Sequence, residues 1–141
     1  MVPHHKLRAA ARNTNLSVVD EAWALEEGFW KAGASGEVQD YYARVLATDA
    51  FVVVPGRVLL RGDLLRQWDD RAPWTDFDLT ERRGSLVNGE TALLSYRIIA
   101  HDADGNEYRA LVSSVYTWVA GWVLVFRQHT PDPDVVGLTL R

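Results

Sequence analysis

Three dipeptides in the second half of the chain constrain it most: Asn88-Gly89, Asp104-Gly105 and Ala120-Gly121. Each favours a tight turn, and Asn-Gly and Asp-Gly in particular favour the turns that join adjacent antiparallel strands. Between them lie strand-like runs, 79–87, 91–101, 107–118 and 122–130, and Pro131 and Pro133 close the series. A chain punctuated in this way is a β-meander. Strand parity then sorts its side chains onto two faces.

The first half reads differently. Val19, Ala22, Trp23, Glu26, Phe29, Trp30 and Gly33 recur at helical spacing, with Ser17 as a capping residue and Asp20 three positions on. Residues 32–36 end that helix, and a second runs from Glu37 to about Thr48 with Val38, Tyr42, Val45 and Leu46 inward. Phe51 to Val54 and Val58 to Leu60 flank a Pro55-Gly56 turn. A short helix with Leu64, Leu65 and Trp68 follows, and then a loop with Pro73 and Trp74. The expected fold is α+β, a curved antiparallel sheet packed against N-terminal helices in the order α-α-β-β-α-β-β-β-β. Residues 1–16 are expected to be a flexible leader, 17–131 a single domain and 132–141 a tail.

Composition enters as a filter. The 141 residues are 48% hydrophobic and 24% charged, an ordinary globular balance, but they include six Trp, five Tyr and four Phe. Rings in such number must pack a core or line a cavity. The net charge of −4, with no basic run beyond Arg82-Arg83, argues against nucleic-acid binding. There is no cysteine, hence no disulfide, thiolate metal site or thiol nucleophile. The absence of an apolar h-region near the start and of any span-length apolar stretch points to the cytoplasm and to no membrane partner. Lysine occurs only at Lys6 and Lys31, a skew towards Arg that suggests a bacterial, GC-rich genome.

Parity places Ala92, Leu94, Tyr96, Ile98 and Ala100 on the inner face, with Val112, Ser114, Tyr116 and Trp118, then Leu124, Phe126 and Gln128. The outer set, Leu93, Ile99, Leu111, Val115, Val123 and Val125 with Arg127 beyond them, carries few charges. Such a face is expected to be covered, by a second copy of the chain in a homodimer or by its own C-terminal segment, with the dimer preferred.

This order of elements, together with Glu26-Glu27-Gly28-Phe29-Trp30, Thr48-Asp49-Ala50-Phe51 running to Pro55-Gly56, Ser113-Ser114-Val115-Tyr116 and Gly121-Trp122 running to Gln128-His129-Thr130-Pro131, resembles the nuclear transport factor 2-like superfamily. Within it the chain is similar to ketosteroid-isomerase-like and SnoaL-like bacterial proteins and to the branch near the kinase association domain. The resemblance spans residues 17 to 131 and implies a cone-shaped, usually dimeric fold whose wide end opens to a pocket. It also implies where isomerase chemistry would sit. The catalytic Asp position is Val54 here, the first-helix Tyr is Phe29, and the protonated Asp is Ser114. Without those groups steroid isomerisation is not expected.

The expected pocket holds Tyr42, Tyr96, Ser114, Tyr116 and Gln128 among Trp30, Val54, Trp68, Trp74 and Phe126, a lining suited to a small apolar or aromatic molecule. In a filled core the same hydroxyls would satisfy one another. Glu26 sits where the helix pattern demands an apolar residue. It is either a general acid or base with a raised pKa or, more commonly for such a residue, a structural carboxylate bonded to an amide, an indole N–H or His129. Parity turns His101 and His129 outward, so neither a metal site nor a cofactor is expected. Three roles remain: a binding module, an isomerase, dehydratase or cyclase using Glu26 with Tyr96, Tyr116 or Gln128, and an assembly domain.

Overall fold

A computed structural model describes residues 15–66 and 72–133. Helix α1 spans Asn15–Ser35 and buries Ala22, Trp23, Glu26, Phe29 and Trp30 of the expected stripe, with Val18 and Ala32 buried beside them and Val19 and Gly33 half-buried. It ends because Gly36 takes φ +79° and Glu37 N–H donates to the Ala32 carbonyl at 2.9 Å, a Schellman closure that needs a residue free to enter the left-handed region. Helix α2, Val38–Val45, is shorter than expected. The chain turns extended at Leu46 and runs straight into strand β1, Leu46–Val54, five residues before the start read from sequence.

Pro55-Gly56, with Gly56 at φ +75°, turns the chain so that Val54 faces Arg57 of β2, Arg57–Leu60. Helix α3 is a single turn, Arg61–Leu64. The meander follows as β3, Trp74–Leu86, β4, Thr91–Asp102, β5, Glu107–Trp118, and β6, Trp122–Pro131. Trp74 opens β3 rather than lying in a loop.

The six strands of the described residues form one curved, unclosed sheet in the order β2-β1-β6-β5-β4-β3. The sheet is mixed, not purely antiparallel. Three hairpin reversals leave β6 running in the direction of β1, so these two pair in parallel, Phe51 beside Phe126 and Val53 beside Gln128. The helices cover one face. Beneath them Leu94, Tyr96, Ile98, Tyr108, Val112, Tyr116 and Leu124 are excluded from water, each apolar side chain contributing roughly 1.5–3 kcal/mol relative to exposure.

Parity holds through β4 and β5 and fails in β6. Val115 faces Phe126 while Tyr116 faces Leu124, so Val125 has no partner of its own and forms a bulge. Beyond it every side chain changes face. Arg127 and His129, expected outside, are buried, 2% and 4% exposed. Phe126 and Gln128, expected in the pocket, lie on the outer face, Gln128 exposed and Phe126 edge-on to Phe51 with ring centroids 5.3 Å apart. That outer face is apolar, as expected: Phe51, Leu93 and Leu111 are each about two-fifths exposed (38%, 42% and 44%), and Arg97, His101 and Arg109 lie at its β3–β5 side.

Candidate functional site

Glu26 is fully buried in the middle of α1 and aimed at the sheet. Four groups converge on its carboxylate through five hydrogen bonds. The Tyr96 hydroxyl and Ser114 Oγ (2.8 Å) donate to Oε2, and the Tyr116 hydroxyl donates to Oε1 at 2.6 Å. Arg127 completes a forked ion pair, Nη2 to Oε1 at 3.0 Å and Nε to Oε2 at 3.2 Å. Trp30 Nε1 in turn donates to the Tyr96 hydroxyl at 2.9 Å. The strand spacing that brings these groups together follows from register: Ser114 lies opposite both Leu94 and Arg127.

The electrostatics favour an ionised Glu26. Burial is the largest influence and pushes its pKa up, but the Arg127 charge and the bonds from Arg127, Tyr116 and Tyr96 outweigh burial and leave it below the ordinary carboxylate value. Burial and the Glu26 charge push the Tyr96 and Tyr116 phenols well above their usual value, so both stay protonated donors. Burial opposes the charge of Arg127, and Glu26 beside it more than restores it. The cluster is a satisfied ion pair tying α1 to β4, β5 and β6, with both carboxylate oxygens engaged. The partners are Arg127, two tyrosines and a serine, not the amide, indole N–H or His129 considered from sequence, and the pKa is lowered where a catalytic role would have raised it.

Against this cluster lies a cleft of about 360 Å³. Phe29, Trp30 and Gly33 of α1, Val38, Gln39 and Tyr42 of α2, Trp74 of β3, and Arg127 and His129 of β6 line it, with Ala34–Gly36 and Ala72–Pro73 at its margin. Gly33 is there for a reason of space: a Cβ at that position would come within 2.6 Å of the Trp74 ring. Trp74 and Trp30 lean together, centroids 5.7 Å apart, and His129 sits 6.0 Å from Trp30. Its Nδ1 is 3.0 Å from the Tyr108 hydroxyl, a bond that orients the imidazole. Arg127 Nη1 donates to the Tyr42 hydroxyl at 3.3 Å, and its guanidinium lies 4.1 Å above the Phe29 ring.

Of the residues expected in a pocket, Trp30, Tyr42 and Trp74 line this cleft. Tyr96, Ser114 and Tyr116 form the floor of the Glu26 cluster, out of reach of solvent. Val54 is packed in the core away from the lining, Phe126 and Gln128 are on the other face, and Trp68 lies outside the described residues. Arg127 and His129 are lining residues that strand parity turned outward, and Phe29 and Gln39 are helical lining residues not expected in the pocket. Among the described residues no group of three His, Asp or Glu side chains is arranged to hold a metal ion.

No protein-family model matches this sequence, and no curated protein matches it significantly. The likeness is in three dimensions. An NTF2-like protein from Cytophaga hutchinsonii superposes with a TM-score of 0.70 at 11% identity, covering 85% of this chain and 99% of its own. A provisionally assigned dehydratase of the NTF2-like family from Streptomyces avermitilis gives 0.69 at 21% identity over 84% and 99%. A CamKII hub homology domain from Chlamydomonas reinhardtii gives 0.67 at 16% identity over 82% and 98%. The chain therefore has the NTF2-like fold. At these identities the likeness establishes architecture alone.

Proposed function

We propose that this chain is a binding protein for a small, flat, largely apolar molecule held in the cleft between α1, α2 and the β3 and β6 walls. The observation that carries the reading is the lining itself: Phe29, Trp30, Val38 and Trp74 supply aromatic and apolar walls, and Gln39, Tyr42 and His129 supply a few oriented polar groups. A 360 Å³ space is at the small end of ligand sites and suits two or three fused rings. In this reading the protein acts in the cytoplasm; no described helix is long and apolar enough to cross a membrane. It also pairs with a second copy through the apolar outer face around Leu93, Leu111 and Val115, and Val115→Glu should give monomers in sedimentation.

A screen of neutral fused-ring compounds, read by melting temperature and by tryptophan fluorescence, tests the binding claim. Hits should lose their effect in Trp74→Ala, and shifts that persist in that variant would place the ligand elsewhere. A second reading, proton transfer of the isomerase or dehydratase kind, is favoured by one observation: His129 lines the cleft and is held by Tyr108. Turnover of a bound compound that is abolished in His129→Gln while binding persists would decide for it.

A further inference from the structure

Arg127 is the one permanently charged residue among the described residues lining the cleft, and an arginine facing a small pocket ordinarily marks a site for carboxylates or phosphates. Here its charge is already answered. Two of its nitrogens are committed to Glu26 at 3.0 and 3.2 Å, a third donates to Tyr42 at 3.3 Å, and both members of the pair are buried. An anion entering the cleft would lose its hydration and meet a guanidinium whose field is cancelled by the carboxylate behind it. The attraction of one charge and the repulsion of the other nearly balance, so desolvation is left unopposed.

We infer that Glu26 is a specificity determinant acting through Arg127: it neutralises the cleft floor, so that the site takes a neutral ring compound and rejects the carboxylate of the same shape. This rests on the cleft being the ligand site. The consequence is specific to charge. Replacing Glu26 with its neutral isostere leaves a buried, uncompensated cation at the cleft floor, and such a cation recruits an anion from solution.

The test uses the full chain and two isosteric probes, 2-naphthamide and 2-naphthoate, with binding followed by tryptophan fluorescence and confirmed by its loss in Trp74→Ala. Wild type should bind the amide at least tenfold more tightly than the carboxylate. Glu26→Gln should reverse that order, and its melting temperature should rise with 2-naphthoate. Because Glu26→Gln alone could fail to fold, Glu26→Gln with Arg127→Met provides the second arm. With both charges gone it should again prefer the amide, which a merely structural role for Glu26 would not predict for the pair of variants. Equal or tighter binding of 2-naphthoate to wild type would overturn the inference even if no variant folded. So would an unchanged preference in a folded Glu26→Gln. Binding of neither probe to wild type would remove the cleft reading and this inference with it, whereas binding with the wrong charge preference removes only the latter.

Discussion

Two arginines that project from opposite faces of this sheet hold carboxylates. Arg127 on the inner face grips Glu26, with side chains 3% and 0% exposed. Arg97 on the outer face pairs with Glu81 at 2.9 Å and Asp132 at 2.8 Å, and it is a quarter exposed. Arg127 forks onto one carboxylate whereas Arg97 spans two, and the larger difference is the medium. On the outside, water and salt already solvate each partner, so the pair changes little. Inside, each charge exists only because the other does.

The sharpest way to break the comparison is to remove one member inside. Arg127→Met strands a buried carboxylate and should cost about 3–5 kcal/mol in urea unfolding, enough to unfold a marginal domain. The double variant with Glu26→Gln should recover much of that loss, and a double variant as weak as the sum of its singles would show that packing, not charge, dominates. Acid offers a second route. Since the Glu26 pKa is lowered in the folded state, its contribution is complete above the ordinary carboxylate value and is lost as pH falls through the folded one. Wild type should therefore lose more stability in acid than the double variant does.

Smaller effects sharpen the contrast. Tyr116→Phe deletes one donor to an ionised acceptor and should cost about 1.5–3 kcal/mol by the same unfolding measurement. Arg97→Met should shift the urea midpoint far less than Arg127→Met, and that shift should shrink further in high salt. The smallest effect is at His101, which lies between Asp76 at 2.7 Å and Glu107 at 3.0 Å on the outer face. Its hydrogen bonds to Asp76 and then Glu107 raise its pKa. Its contribution is thus present below the free histidine value and fades as pH rises through the folded one. NMR titration should show the raised value, and His101→Gln should lower the melting temperature slightly near pH 5 and not near pH 9, on the order of the exposed-pair effect.

Much of the fold could be read from turn chemistry and alternation, because each acts over a few residues. The Asn88-Gly89 hairpin, the buried even positions of β4 and β5, and the α1 stripe are where local rules put them. The parallel pairing of β1 with β6 is a long-range outcome that no local pattern encodes. The site was lost at one residue. Val125 sits in the unbroken apolar run from Trp122 to Phe126, where either parity satisfies burial, so hydrophobicity alone cannot reveal a bulge. A charge argument would have served better. A carboxylate in the middle of a buried helix face demands a cation, and Arg127 was the candidate in the strand nearest the end of the meander. The same flip explains why Phe126 and Gln128 were expected in the cleft and why His129 was not.

The place of β6 in the sheet has a consequence for assembly. It is the last strand of the described chain, yet it is inserted between β1 and β5, and it alone joins the β1–β2 hairpin to the rest of the sheet. During synthesis, α1 emerges some hundred residues before the guanidinium it needs (Glu26 to Arg127, a separation of 101). Until then the nascent protein is two unjoined half-sheets around an unanswered negative charge, and the long-range closure that joins them slows folding and leaves strand edges bare.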